Sequence, residues 1–490
     1  MAALWEGAHF GQAAALYDAS GQERLPVEAT ILRARAYLKV NEAPSAINLL
    51  EGDRKNNAAP SAQRSLVLAS AYARVGNYGV ADELFAEAEA AACRQDDPDL
   101  LDDIAYARAK RYLFEQHPEQ ARELLARVRL AKTTFGQLRA LHLESFLLRR
   151  ESRHHDQARV LMELLGRIDP HRTDYMEIRA WATQTLAALA RELYIPEALS
   201  AIDRQLGGVE WPSDFDTRRF LTLKALGWAY ALRGDYFNAF RFLKLSSKKA
   251  TTDAWRAIAA ADRAQLARCK REHLWSRQEL AEAEDYAANV NWDAVRDESR
   301  LGLLLLAELF VPIDAARASY YEARFNEHGN ITRTNYYLKN DPRLKALAQY
   351  SAAIVSLSVG HRKVGLDLLR KALQTFGAHG YGWRAGQCAL KLYEETHDVV
   401  YAAVAKEHLR FYAGSWLGDE LRAMVTPAIK LPPMQKRVYE ALCKGYSTAQ
   451  IASEIGRSQF TIRNHIKLIF KALGVNSRAA LIASSQNRTT

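Results

Sequence analysis

Five side chains near the C-terminus have the types and spacing needed to read nucleic acid. Phe460, Arg463, Asn464, Lys467 and Lys471 recur at intervals of one to four residues. At about 100° per residue they fall on one side of a helix. Ile462, Ile466, Ile469 and Leu473 fall on the other side and form an apolar stripe. Arg can donate two hydrogen bonds to the major-groove edge of guanine, Asn can pair with adenine, and Lys serves guanine or phosphate. These assignments make Arg463, Asn464, Lys467 and Lys471 candidate contacts to bases or phosphate. Arg457, Ser458 and Thr461 lie at the head of the run. Free backbone N–H groups and the positive end of a helix dipole suit a phosphate there.

An ordinary solvated helix face uses the same residue types, so the elements around this run matter. Ser447 precedes TAQIASEI and Ser458 precedes the reading run, each where an N-cap belongs. Gly456 marks a short turn between them. The pattern is helix, tight turn, helix. Charge favours the nucleic-acid reading. Residues 428–490 hold ten Lys or Arg against two acids, Glu440 and Glu454, which is +8 of the +10 carried by the whole chain. Basicity concentrated on one small terminal unit is the footprint of a polyanion binder.

The segment from Leu431 onward resembles the DNA-binding domain of LuxR/FixJ-type bacterial transcription regulators. Leu431, Val438, Gly445, Ser447, Ile451, Ala452, Ser458, Thr461, His465, Ile469, Leu473, Val475, Ser477 and Arg478 carry the resemblance. It covers about 60 residues and implies a four-helix unit. It also implies base reading by Arg463, Asn464 and Lys467, phosphate contacts by Arg457, Thr461 and Lys471, and a core built on Val438, Leu442, Ile451, Ile455 and the Ile462 stripe. Two departures stand out. Met434 and Gln435 occupy the family's Arg-Glu pair, and Phe460 replaces a small or polar residue at the head of the reading helix. Phe460 can meet a thymine methyl or turn into the core, and the sequence leaves both open. Leu468 lies towards the exposed side and has the character of a residue covered by another part of the chain. The promoter-reading unit of sigma factors also opens on a Leu-Pro run. The tail GVNSRAALIASS argues against it, because it supplies a capped fourth helix, which the LuxR type uses for dimer contacts.

The remaining chain is long, and 490 residues exceed one compact core. Strand patterning is nearly absent, so the expected fold is all-α. ASAYARVGNYGVADELFAEAEAA from Ala69 and ALGWAYALRGDYFNAFRFLKLSSKKA from Ala225 share one beat: Ala-Tyr, then Gly, Tyr and a small residue. They resemble the tetratricopeptide repeat. In that reading Gly76 and Gly234 end one helix, while Tyr78 and Tyr236 plug the hairpin. Small residues at Ala46, Ala81, Ala121, Ala158, Ala198 and Ala239 recur at steps of 35 to 41 residues. The ideal repeat is about 34, so longer helices or turns are expected. Nine to eleven hairpins would stack into a right-handed superhelix. The expected division is a tetratricopeptide-like solenoid over 1–422, a proline-bearing linker at 423–430 and the helix-turn-helix domain at 431–490.

The stretch from Tyr320 through Leu347 breaks the beat with aromatics, basic residues and a turn at Asn340-Asp341-Pro342. It suits either an irregular hairpin or a lining for an effector pocket. The nine tryptophans fall at core spacing. His154-His155-Asp156, placed in an inter-helix turn, lacks further ligands, so no metal is expected. Cys93, Cys269, Cys388 and Cys443 form no CxxC pair and suit free thiols in a reducing compartment. No secretory signal and no membrane span is visible, which points to the cytoplasm. There is no phosphate-binding GxxxxGK[ST], no GxSxG and no HExxH, so neither cofactor nor catalysis is expected. The reading is a transcription regulator that binds double-stranded promoter DNA as a homodimer. Its solenoid takes a peptide, protein or small-molecule effector. The alternative is a repeat scaffold whose terminal unit docks RNA polymerase in a sigma-like manner.

Overall fold

The computed structural model of the chain describes residues 12, 26–39, 42–56, 61–115, 117–173, 175–208, 210–295, 298–327, 342–425, 432–473, 477–478 and 481. Every regular element among them is helical, as the sequence pattern requires. The chain falls into two compact units, Met1–Ala385 and Gly386–Thr490.

The first unit is a row of antiparallel hairpins. α1 (Val27–Lys39) pairs with α2 (Ala43–Asn56), α3 (Ala62–Arg74) with α4 (Tyr78–Gln95), and α5 (Pro98–Phe114) with α6 (Pro118–Val128). Next come α7 (Thr134–Arg150) with α8 (His154–Gly166), α9 (Met176–Glu192) with α10 (Pro196–Leu206), and α11 (Asp216–Ala231) with α12 (Tyr236–Ser247). α13 (Asp253–Cys269) pairs with α14 (His273–Ala288), α15 (Gly302–Phe310) with α16 (Ala315–Glu327), and α17 (Pro342–Ser358) with α18 (Arg362–Ala378). These are nine hairpins among the described residues, the lower end of the expected number. Odd-numbered helices also pack on the next odd helix: α1 on α3, α3 on α5, α5 on α7, α7 on α9 and α9 on α11. That stacking makes the row a helical solenoid.

Local chemistry explains the hairpins. Ser61, Asp97, Thr133, Asp235 and Thr252 accept the N-cap hydrogen bond of the helix that follows each. Pro98, Pro118 and Pro196 occupy first helical positions, where a missing N–H costs nothing. Gly76 and Gly234 close α3 and α11 at φ +82° and +83°, a left-handed conformation that glycine adopts without strain. Tyr78 and Tyr236 open the second helix of their hairpins and are half-buried. Ala46, Ala81, Ala121, Ala158, Ala198 and Ala239 are each 1% exposed or less, so the sequence beat marks the points of closest helix approach. In the degenerate last hairpin Gly365 takes this place. A Cβ there would lie 2.7 Å from Leu357.

Contacts between distant helices bend the row back on itself. Lys39 on α1 pairs with Glu177 on α9, 138 residues away. Tyr381 Oη meets His154 Nε2 at 3.2 Å, and His379 Nδ1 meets Ser152 Oγ at 3.1 Å. Arg343 donates to Glu192 at 3.1 Å, and Trp383 Nε1 donates to the same carboxylate at 3.2 Å. His154 is therefore not in a turn, as the sequence suggested. It is the first residue of α8, buried and stacked on Tyr381. The helix begins at His154, directly after the N-cap Arg153, so the turn ends three residues earlier than the HHD run implied.

Glu192 is the hub of the second contact set. Burial alone would push its carboxyl up. Arg191, Arg343 and Arg384 outweigh that and hold it down, to about 2. Glu308, buried near Arg384 and Arg268, is pushed up by burial, which those two cations only partly offset.

The second unit begins inside α19 (Gly382–Thr396) and continues with α20 (Val399–His408) and α21 (Trp416–Val425), which pack on each other. Gly386 lets α19 approach Leu409, since a Cβ there would lie 2.4 Å from that side chain. Most of the expected linker lies outside the described residues, as do 328–341 of the irregular segment. Tyr320 is exposed, and Tyr321 is stacked on Phe310. Pro342 opens α17. Six tryptophans, from Trp211 to Trp416, are buried, whereas Trp181 and Trp275 are half-buried. The four cysteines are free thiols.

Candidate nucleic-acid interface

Three short helices complete the second unit: α22 (Pro433–Cys443), α23 (Thr448–Ile455) and α24 (Gln459–Leu473). Their lengths follow from their ends. Pro433 sits at the first helical position of α22. Ser447 and Gln450 form a reciprocal capping box on α23: Gln450 N–H donates to Ser447 Oγ at 3.3 Å, and Ser447 N–H donates to Gln450 Oε1 at 2.8 Å. Gly456 ends α23 at φ +69°, and Arg457 N–H donates back to the Ala452 carbonyl at 3.0 Å. That left-handed step turns the chain into α24 within a few residues. Ser458 caps α24, accepting from Thr461 N–H at 3.1 Å, and its Oγ lies 2.9 Å from Thr461 Oγ1.

The helices share one apolar core. Val438, Ala441, Leu442, Ile451, Ala452, Ile462, Ile469 and Leu481 are buried together, with Tyr439, Ile455, Ile466 and Phe470 packed around them. Ile462, Ile466 and Ile469 thus fasten one face of α24, as the sequence stripe requires. The side chain of Leu473 and most of the expected fourth helix lie outside the described residues. Leu481 belongs to the core, and Arg478 donates to the Tyr446 carbonyl, which ties the tail to the turn before α23.

The opposite face of α24 is open. Arg463, Asn464, Lys467 and Lys471 are all exposed, as is Arg457 just before the helix. Thr461 is half-buried and Ser458 is exposed. Phe460 is 72% exposed, so the core alternative for this residue does not hold. Leu468 is 49% exposed, which leaves an apolar side chain next to the basic face. Gln459, which the sequence reading passed over, is exposed one residue before Phe460. Its position as the first residue of a capped helix was the signal available. The arrangement fixes four polar or basic side chains on a rigid cylinder, which suits multidentate hydrogen bonding in a groove. Among the described residues no three His, Cys, Asp or Glu side chains gather as metal ligands, and no helix is long and apolar enough to cross a membrane.

This geometry defines a helix-turn-helix, and comparison with known proteins specifies its type. Residues 430–485 match the family model described as bacterial regulatory proteins, luxR family. The chain thus carries a LuxR-type DNA-binding domain behind a row of helical repeats. It is similar to the transcriptional regulatory protein DesR of Bacillus subtilis (strain 168), with 28% identity over 123 residues. That match takes in 24% of this chain and 59% of the regulator's own length. Among solved structures, the crystal structure of the APC/C hetero-tetramer Cut9–Hcn1 aligns over 81% of this chain and 83% of that one. Its identity is 16% and its TM-score 0.33.

Proposed function

We propose that this protein is a cytoplasmic transcription regulator that reads promoter DNA through α24 under the control of its repeat row. One observation carries the reading. α24 is buried along one face and presents Arg463, Asn464 and Lys467 on the other, with the turn that precedes it locked by Gly456 and the Ser458 cap. In this reading those three side chains contact base edges. Arg457, Ser458, Phe460, Thr461 and Lys471 position the helix on phosphates and the groove wall. Ser458 acts through its backbone, since its hydroxyl already caps the helix. Residues 431–490 form the DNA-binding part, and two copies meet two half-sites as a homodimer. The solenoid binds an effector and shifts the population able to pair on DNA.

The test is binding of the full chain to fragments of its own upstream DNA across a salt series with random competitor. A specific complex is expected, weakened by ~1–3 kcal/mol per lost base contact in Arg463→Ala and Lys467→Ala. Equal affinity in both variants and the parent would refute base reading. It would favour the RNA polymerase docking alternative instead.

A further inference from the structure

The odd-numbered helices of the first six hairpins present a second concentration of charge, remote in sequence from the DNA-binding domain. Arg35 and Lys39 lie on α1, Arg74 at the end of α3, and Asp102, Asp103, Tyr106 and Lys110 on α5. Arg139, His142 and Phe146 lie on α7, Glu177, Trp181 and Gln184 on α9, and Arg218 on α11. From Asp103 on α5, and within α7 and α9, these residues follow three- and four-residue spacing, so each helix shows one face. The Lys39–Glu177 pair brings the face of α1 across to that of α9. The faces therefore look at one another over a shared recess.

The floor of that recess is aromatic. His142 lies 4.2 Å from Trp181 and 4.9 Å from Phe146 between ring centroids, and Phe146 lies 4.7 Å from Trp181. Tyr106 Oη meets His142 Nδ1 at 2.5 Å. His142 Nε2 is buried with no hydrogen-bond partner among the described residues. Tyr106, Phe146 and Trp181 are half-buried, neither in the core nor on an open surface.

The charges over this floor do not balance. Arg35, Lys39, Arg74, Lys110, Arg139 and Arg218 face Asp102, Asp103 and Glu177. Asp103 is engaged by Arg139, and Glu177 by Lys39. Arg218 donates to Gln184 at 2.9 Å. Lys110 lies 5.5 Å from the Tyr106 ring and makes no ion pair among the described residues. Burial is the largest influence on its ammonium. Glu177 opposes it, Arg74, Lys39 and Arg218 add to it, and the group is brought down to about 8. Burial likewise lowers Arg139, to about 10. Glu177 goes the other way. Burial would raise it, but Lys39, Lys110 and Arg218 hold it at about 2. Lys110, held among like charges without an ion pair among the described residues, calls for a counter-charge.

We propose that this recess binds a small organic anion, with its carboxylate or phosphate at Lys110 and its flat apolar body against Trp181 and Phe146. As an effector site it rests on the regulator reading above. An anion there neutralises Lys110 and the surrounding arginines, and it joins α5, α7 and α9 through one ligand.

Benzoate and phenyl phosphate, with benzamide as the uncharged counterpart, are the probes. Binding to the full chain is read by calorimetry at constant ionic strength. At least one anion is expected to bind saturably within about 10 mM, the range for ligands of this size, and benzamide is not. Which anion binds separates the carboxylate from the phosphate source. Lys110→Met should weaken binding about tenfold or more, the loss of one charged contact. At pH 8 binding should draw protons from the buffer, because burial lowers the Lys110 ammonium in the empty site and a bound anion raises it again. Arg218→Gln serves as a second variant if Lys110→Met does not fold. No saturable binding of either anion, equal binding of benzamide, or unchanged affinity in a folded variant each overturns the site. Binding that leaves promoter affinity unchanged overturns its effector role. These measurements require no DNA except the last, so failure of the anion site leaves the α24 reading standing.

Discussion

Replacing Glu192 with Gln preserves shape and removes one charge from the contact that returns α17 and α19 to α9. In the parent protein one carboxylate oxygen accepts from Arg191 at 2.6 and 3.0 Å and from Arg343 at 3.1 Å. The other accepts from Trp383 at 3.2 Å. Arg384 lies over the Trp383 ring at 3.9 Å. Glu192 is 3% exposed, so water screens little of this. The drop from an ordinary 4.5 to about 2 corresponds to roughly 3 kcal/mol of stability at neutral pH. The sign follows from the direction. A depressed carboxylate stabilises the fold above its unfolded pKa, and that contribution disappears as pH falls towards 2. Glu192→Gln should therefore cost about 3 kcal/mol at pH 7 and only about 1 kcal/mol near pH 3. Removing one partner of a buried ionic cluster has effects of this size. The assay is amide hydrogen exchange over residues 342–358, where roughly a hundredfold loss of protection is expected at pH 7. Urea midpoints at several pH values supply the second reading. Unchanged protection in that helix, or a difference between the two proteins that stays constant down to pH 3, would refute the reasoning.

Gly456→Ala should destabilise the C-terminal helices by about 1 kcal/mol, since φ +69° strains any Cβ; a local melt followed by exchange over 433–473 checks it. Ser447→Ala should cost a similar ~1 kcal/mol by removing the capping box, seen in the same measurement. Phe460→Ala should leave stability within about 0.5 kcal/mol, because the ring is exposed, yet lower DNA affinity in a binding titration. Lys471→Ala should weaken binding evenly across sequences and reduce the salt slope by about 1. Ala81→Leu should overpack the hairpin of α3 and α4 by several kcal/mol, because the methyl is fully buried against the facing helix; thermal denaturation reads it.

What the sequence made legible was local. The small-residue beat at Ala46 through Ala239 located each hairpin, because helix–helix approach is decided by one residue per pair. Ser447, Gly456 and Ser458 announced the helix-turn-helix, because capping chemistry acts within four residues. The open face of α24 followed from its period alone. The side of Phe460 did not, since a residue at a helix head can turn either way until its neighbours are placed. Lys39 with Glu177, Ser152 with His379 and Glu192 with Arg343 were beyond reach for a different reason. They join positions 138 to 227 residues apart, and no period in the chain encodes how tightly a row of hairpins curls. The cluster around Lys110 depends on that curl, so no stretch of the sequence brings its members together.

Repeat arrays ordinarily behave as chains of neighbours, in which a hairpin senses only those beside it and can peel from a loose end. The return of residues 343–384 to 152–192 changes this one. It ties the polypeptide between them into a closed loop, and opening any hairpin within the loop gains little chain entropy while the tie holds. Unravelling must start by breaking the tie or not at all, so this stretch should melt as one block and not hairpin by hairpin. The same tie shortens communication. A strain at the end of α9 reaches Arg343 through one hydrogen bond, although 151 residues of covalent chain lie between them.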